Sequence, residues 1–249
     1  MSIAFGIDIG GSGIKGAPVD LEKGVLLENR KRIPTPERST PDAVAEVCAR
    51  VLESFDVPEG TPVGVTLPAP IRHGVLVFMA NLHKSWHGVD ADALMTKTLG
   101  REVYAVNDAD AAGYAEVVYG AARGQQGTVI VTTLGTGIGS AIIVDGTLVP
   151  NTELGHLEVN GYDAESRASS AAKEREGLSY KKWAKRLTRY YRTLEMLFSP
   201  DLFVVGGGVS RDHAEFLPLI RVRTPMVPAE LRNAAGIVGA ARLAANLHG

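Results

Sequence analysis

Two short stretches of the chain repeat one pattern, and that repetition limits what it can fold into. Residues 8–17 read DIGGSGIKGA and residues 133–141 read TLGTGIGSA. In each, a hydrophobic strand runs into a glycine turn, an isoleucine follows and a second strand leaves, and the copies align with an offset of one residue. Residues 4–9, 14–19 and 26–33 are rich in β-branched side chains, as are residues 128–133, 139–144 and 147–149. A repeated three-strand unit predicts two similar α/β domains, residues 1–112 and 113–249, facing each other across a central cleft. Further strands are expected at 62–67, 102–106 and 201–205, with a helix rich in small residues at 109–118. A helix over 41–55 has Thr40 as N-cap, Pro41 at its first position and one stripe of Val44, Val47, Val51 and Leu52. Asn233 is placed to cap a terminal helix over 234–247, where Gly236 and Gly239 allow close approach; it packs on a domain face, and the first domain is open to it.

Composition removes several alternatives. At 249 residues, 45% hydrophobic and 22% charged, the chain can bury a sizeable core, and a net charge of -2 does not suit a globally basic nucleic-acid binder. One cysteine, Cys48, makes neither an internal disulfide nor a cysteine metal cluster, which fits a reducing cytoplasm. Residues 3–9 are strand-like without a leader pattern, and no apolar run approaches the roughly 20 residues of a membrane span. The expectation is a soluble cytoplasmic protein.

Glycines in a strand-turn-strand hairpin let backbone N–H groups converge on an anion, because no Cβ intervenes and positive φ is cheap there. A tight hairpin turn is the plainer alternative for either copy taken alone. The spacing is neither the phosphate loop G-x-x-x-x-G-K-S/T nor a dinucleotide fingerprint, since a strand follows the glycines. Asp8, beside the first turn, can hold a magnesium ion through water. Asp108 ends a strand, where a carboxylate can take the proton of a hydroxyl attacking phosphorus; capping the next helix is the alternative. In NTELGHLE, residues 151–158, Glu153 and His156 are spaced to bond neighbouring sugar hydroxyls; they can also be plain surface residues, and a metal would require more ligands. Between 173 and 192, Lys173, Arg175, Lys181, Lys182, Lys185, Arg186, Arg189 and Arg192 face only Glu174 and Glu176, while Trp183, Leu187, Tyr190, Leu194 and Leu197 recur at helical spacing. The outer face is either solvated or a track for a polyanion, formed by Lys181, Lys182, Lys185, Arg186 and Arg189.

Taken together, these residues resemble the ROK-type sugar kinases of the actin-like ATPase superfamily, and within it the bacterial polyphosphate glucokinases. The resemblance runs over nearly the whole chain: FGIDIGGSGIKG (5–16), ANLHKSW (80–86), VNDADAA (106–112), TLGTGIGSA, PNTELGHLE (150–158), WAKRL (183–187), PDLFVVGGGVS (200–210) and NAAGIVGAA (233–241). It implies a duplicated actin-like, ribonuclease H-like, two-domain α/β fold and transfer of a terminal phosphoryl group from polyphosphate or ATP, with Mg²⁺, to the 6-hydroxyl of glucose. By the resemblance Asp108 is the general base. Asp8, Gly10, Gly11, Ser12, Gly13, Ile14, Lys15, Thr133, Gly135, Thr136 and Gly137 hold phosphates. Gly207 and Gly208 lie near a nucleotide's adenosine end, and Asn81, Asn107, Glu153, His156 and Glu165 orient the sugar. A homodimer is also implied.

Two departures stand out. Many members carry a cysteine-rich zinc motif after the Glu-x-Gly-His segment, whereas residues 160–170 hold no cysteine, so no structural zinc is expected. His83 and His87 stand where less basic residues are usual, which bears on selectivity for donor and sugar. A strictly ATP-dependent hexose kinase, a non-enzymatic actin-like nucleotide switch and a polyphosphatase are the alternatives. A sugar-responsive regulator is disfavoured, since the kinase-like strand begins at Ile3.

Overall fold

The computed structural model describes residues 2–78 and 82–247. In chain order the elements are β1 (Ile3–Gly10), β2 (Gly13–Asp20), β3 (Val25–Leu26), β4 (Lys31–Ile33), α1 (Pro41–Leu52), β5 (Val63–Leu67), β6 (Ile71–Arg72), β7 (Val75–Leu76), α2 (Ala91–Leu99), β8 (Val103–Asn107) and α3 (Asp108–Tyr119). They continue with β9 (Thr128–Leu134), β10 (Ile138–Val144), β11 (Thr147–Val149), β12 (Glu158–Val159), β13 (Tyr162–Asp163), α4 (Ala164–Ala168), α5 (Ser170–Arg175), α6 (Tyr180–Phe198), β14 (Leu202–Gly206), α7 (His213–Phe216), β15 (Met226–Pro228) and α8 (Ala235–Leu247). The chain divides into one unit of Met1–Ala115 with Ala234–Gly249 and another of Glu116–Asn233. The division falls inside α3 rather than after 112, and α8 belongs to the first unit.

The main sheet of each unit has the same design. In the first unit the order is β3-β2-β1-β5-β8, with β4 also on β2; in the second it is β11-β10-β9-β14-β15. Each has antiparallel strands on one side of its first strand and parallel ones on the other. Ile9 pairs with Ile14 across residues 10–13, whereas Leu134 pairs with Ile138 across residues 135–137, so the one-residue offset between the sequence copies is a difference in turn length.

Local expectations needed adjusting where long-range packing decides. The strand expected over 26–33 is two short strands, and α1 stops at Leu52. Thr40 occupies the cap position of α1, but its side chain makes no cap hydrogen bond. The basic stretch is two helices, interrupted near Gly177, whose φ of 59° is left-handed. Trp183, Leu187, Tyr190 and Leu194 enter the second unit's core with Ile130, Phe203 and Phe216, but Leu197 is 52% exposed and not a core residue. Among the described residues no helix is long and apolar enough to cross a membrane.

In the first unit α8 lies against β1 and β5 at backbone distance. A Cβ added to Gly6 would stand 2.0 Å from the Ile237 carbonyl oxygen, and one on Gly64 would stand 2.0 Å from that of Ala240. On the helix's other side, a Cβ on Gly239 would meet the Ala111 carbonyl oxygen of α3 at 1.8 Å. None of these neighbours is a side chain that can swing away. Gly64→Ala is therefore expected to destabilise the protein by about 3 kcal/mol or more, as overpacking against backbone does; an unchanged denaturant midpoint would contradict the close approach.

Candidate functional site

In the first unit, Asp8 and Lys15 are opposite in the β1–β2 register and Thr66 stands beside Asp8 on β5. Thr66 Oγ1 donates to Asp8 Oδ1 at 2.9 Å, while Lys15 Nζ is 3.5 Å from Oδ2. The carboxylate is thus oriented from one side, and its other oxygen has only a distant cation; a water carried by a hard divalent ion fits there as donor. At the turn, Gly11 and Ser12 are exposed. Neither Gly10 nor Gly13 adopts a left-handed backbone, so these glycines serve by lacking a side chain and not by positive φ.

Two residues that the sequence reading did not single out complete this turn. Arg32 Nη2 donates to the Ser12 carbonyl at 2.7 Å, and a Cβ on Gly13 would lie 2.6 Å from the Arg32 Nε. Thr35 Oγ1 donates to the Gly10 carbonyl at 2.6 Å. The available signal was β4 itself: Arg32 pairs with Lys15 in register, which carries a second cation to the glycine turn.

At the end of β8 the two candidate roles separate. Asn107 Oδ1 accepts from Ala109 N at 2.8 Å and from Asp110 N at 3.1 Å, so the buried asparagine caps α3. Asp108 Oδ1 also accepts from Ala109 N at 2.8 Å, and its side chain is half-buried. The helix therefore has its cap from Asn107 and does not depend on Asp108 for one. Asn81 lies outside the described residues. Trp86 is buried in the core with its Nε1 donating to the Ser39 carbonyl at 2.9 Å, and His83 Nδ1 accepts from Ser85 N at 3.2 Å at the start of the short turn Lys84–Trp86.

The second unit gathers its candidates around residues 135–137. Gly135 N donates to the Gly137 carbonyl, and Ala171 N to the Gly135 carbonyl, at 3.0 and 3.1 Å. Glu165 Oε2 accepts from Ile138 N at 3.0 Å and would stand 2.3 Å from a Cβ on Gly137, so this carboxylate lies on the glycine turn. Gly155 is equally confined, a Cβ there falling 2.2 Å from the Ile138 carbonyl oxygen. Ser140 Oγ donates to the Thr152 carbonyl and accepts from Leu154 N, at 2.7 and 2.9 Å. These contacts fix the Glu153–His156 turn beside the start of β10.

His156 Nδ1 lies 2.8 Å from Asp163 Oδ2, and ligand atoms of His156, Asp163 and Glu165 are within 4.8 Å of one another. They could offer one atom each to a cation. The short His156–Asp163 contact equally suits a carboxylate that orients an imidazole toward a hydroxyl. Burial raises the Glu153 carboxyl above its ordinary range, opposed by His156 and assisted by Glu165. The bond to Asp163 raises His156, and the nearby Glu165 and Glu153 add to it.

Gly207, at φ 85°, brings the turn after β14 against Leu134, whose carbonyl oxygen would be 2.4 Å from a Cβ there. A groove of about 280 Å³ follows, lined by Gly135, Thr136, Lys173, Tyr180, Gly208 and Arg211 among others. Lys173 sits over the Tyr180 ring at 4.3 Å, and Tyr180 donates to Asp212 at 3.0 Å. Thr133 is half-buried at the end of β9. On α6, Lys181, Lys182, Lys185 and Arg189 are exposed. Arg186 differs: Nη1 and Nη2 bond Glu176 at 3.0 and 2.6 Å, so it flanks the basic face instead of forming it, and the exposed Arg192 takes the next place in the row.

Residues 4–171 match the ROK family. The chain is 51% identical over 238 residues to a polyphosphate glucokinase of Mycobacterium tuberculosis, covering 95% of this chain and 89% of that one. The structure is similar to an inorganic polyphosphate/ATP-glucomannokinase from Arthrobacter sp. strain KM, at TM-score 0.94 and 56% identity, with both chains covered completely (100%). A ROK glucokinase from Streptomyces griseus, solved with glucose and AMPPNP, shares the fold at TM-score 0.83 and 24% identity, covering 98% of this chain and 99% of that one. The duplicated fold expected from the paired glycine turns is that of these sugar kinases.

The raised His156 has a stability consequence. A histidine whose folded pKa lies above its unfolded value contributes stability that is present below about pH 6.5 and lost as pH rises through the raised value. With the two side chains 46% and 42% exposed, solvent screens the pair and the contribution is small. Denaturation curves across pH 6–9 are expected to show a modest decline in stability that His156→Gln removes; a decline of equal size in the variant would exclude this pair as its cause.

Proposed function

The chain belongs to the ROK family, and from that premise we propose that it is a glucokinase transferring the terminal phosphoryl group of inorganic polyphosphate, and of ATP as a second donor, to the 6-hydroxyl of glucose. The observation that carries the mechanism is the placement at the end of β8, where Asn107 makes two of the cap bonds of α3 and Asp108 stands half-buried beside it at the strand end. Asp108 takes the proton of the 6-hydroxyl as that oxygen bonds phosphorus and the bond from phosphorus to the donor's bridging oxygen breaks. Positioning and charge stabilisation supply most of the acceleration in such a transfer.

The remaining residues bind and orient. Gly10, Gly11, Ser12, Gly13, Ile14 and Lys15 offer backbone and side-chain donors to the donor's phosphates, with Arg32 as a further cation on that turn. Thr133, Gly135, Thr136 and Gly137 do the same from the second unit. Glu153, His156 and Glu165 hold sugar hydroxyls, together with Asn107 and Asn81. Asp8 would hold Mg²⁺ through water, and the ion, when bound, neutralises phosphate charge. Lys181, Lys182, Lys185 and Arg189 line a track for a polyphosphate donor. The groove at Gly208, next to Gly207, favours ATP as the second donor, because it continues from the glycine turn that would hold the phosphates. The reading includes a cytoplasmic location, which the single buried thiol of Cys48 suits, and a homodimer, which sedimentation of the purified chain would reveal.

The test is glucose 6-phosphate formation with Mg²⁺, comparing long-chain polyphosphate with ATP at matched terminal-phosphate concentration. Product from both is expected, and product from neither would sink the reading. Asp108→Asn should lower kcat by about 10² to 10⁴ while leaving the KM for glucose near its original value; undiminished turnover would remove Asp108 from the role. Because Glu153 protonates at higher pH than an ordinary carboxylate, affinity for glucose should fall on acidification through that raised pKa. Glu153→Gln should flatten this limb of the KM profile, and a limb that persists would assign it to another group.

A further inference from the structure

A cavity of about 260 Å³ opens on the second unit between α4, α6 and the β12–β13 hairpin, and none of its lining residues belongs to the glycine turns or to the Glu153–His156 turn. Arg167, Arg186 and Arg189 line it together with Asn160, Tyr162 and Tyr190. The Arg167 guanidinium lies over the Tyr162 ring, 4.1 Å from its centroid, which holds its plane in place. Arg186 is held by Glu176 and by the Arg167 carbonyl, the latter at 3.0 Å. Among the described residues, the side chains of Arg167 and Arg189 have no hydrogen bond or ion pair. Three guanidiniums are thus met by one directly bonded carboxylate, that of Glu176.

The apolar floor contains an unanswered donor. Tyr190 is 1% exposed, and its hydroxyl has no hydrogen-bond partner among the described residues. Burial raises this phenol well above its usual range, so it remains an O–H donor. A buried donor without a partner is costly, and it marks this side of the cavity as polar beneath its apolar lining. Arginine forks, one of them stacked on a tyrosine, suit the tetrahedral oxygens of a phosphate group.

We propose that this cavity is a second phosphate-group site, separate from the glycine turns, in which Arg167 and Arg189 bind the anion and Arg186 walls it. Two sources share that chemistry: the part of a polyphosphate chain distant from its transferred end, and free phosphate. The first source rests on the function proposed above, whereas the site itself does not. The chain source has geometric continuity in its favour. Lys182, Lys185, Arg189 and Arg192 are all exposed and recur on the outward face of α6, spanning about 15 Å at 1.5 Å per residue. Arg189 belongs both to that row and to the cavity, so an anion seated in the cavity can continue along the helix.

The experiment uses the full chain and the variants Arg167→Ala and Arg167→Lys, in two measurements. In the first, inorganic phosphate is titrated calorimetrically without glucose; in the second, initial rates are taken with long-chain polyphosphate and with ATP. If the chain is the source, Arg167→Ala raises the KM for long-chain polyphosphate about tenfold, as expected for a lost charge-assisted contact, and makes its salt dependence shallower, with Arg167→Lys intermediate. The KM for ATP should then move less than twofold. If free phosphate is the source, the variant loses the phosphate titration while the KM for long-chain polyphosphate stays unchanged. An Arg167→Ala protein that folds with the parent's circular dichroism spectrum and changes neither quantity overturns the site. Should the parent form no glucose 6-phosphate from polyphosphate, the functional reading fails, while the phosphate titration still decides the cavity.

Discussion

Backbone meets backbone where α8 crosses β1 and β5, and the first unit depends on that contact. Gly6 and Gly64 lie one on each of two neighbouring parallel strands and are in register. Each faces a carbonyl of α8, so the helix sits closer to the sheet than any side chain would allow. The approach carries the first turn of α8 to the end of β1: a Cβ on Gly236 would be 3.4 Å from Asp8 Oδ1. A helix N-terminus presents unpaired N–H groups and a partial positive charge, which favours an anion nearby. The last helix of the chain therefore sets the electrostatics around one of its first loops.

The second unit solves the same problem by different means. Its glycine turn is braced by Glu165 on Ile138 N, by Gly155 against the Ile138 carbonyl and by Gly207 against Leu134. Residues from three separate segments thus converge on the two residues that flank the turn. The candidate sugar groups and the candidate phosphate turn are held by one set of contacts, so neither can shift without the other. Such mutual bracing is what preorganised phosphoryl transfer requires, because little of the acceleration comes from covalent participation by the protein.

Much of this design was legible in the chain and some was not, for definable reasons. The repeat around Ile14 and Ile138 was visible because each copy is continuous in sequence, and the common strand order follows from it. The close-approach glycines were half visible. Gly239 was read from the terminal helix, whereas Gly6 and Gly64 show their function only once the helix is placed on the sheet. Arg32 reaches the first turn through strand pairing across 20 residues, and no local periodicity reports that. Leu197 was misplaced because the helical stripe continues beyond the part of α6 that has a partner. Arg186 fell among the outward cations by spacing alone, but Glu176, in the break after α5, turns it to one side.

Charge distribution is the remaining link between fold and proposed donor. The whole chain is slightly acidic at -2, so no general attraction draws a polyanion to it. The cations that count are therefore those whose local surroundings leave them unanswered. On α6 the core side is given over to Trp183, Leu187, Tyr190, Tyr191 and Leu194, which leaves the opposite face to Lys182, Lys185, Arg189 and Arg192 with no acidic residue between them from Lys181 to Thr193. A surface helix stabilised only by solvation would gain from acidic partners one turn away, and Lys182, Lys185 and Arg189 have none on this helix. Its amphipathic packing supplies the stability that such pairs would otherwise provide, and the row stays unneutralised on the outward face.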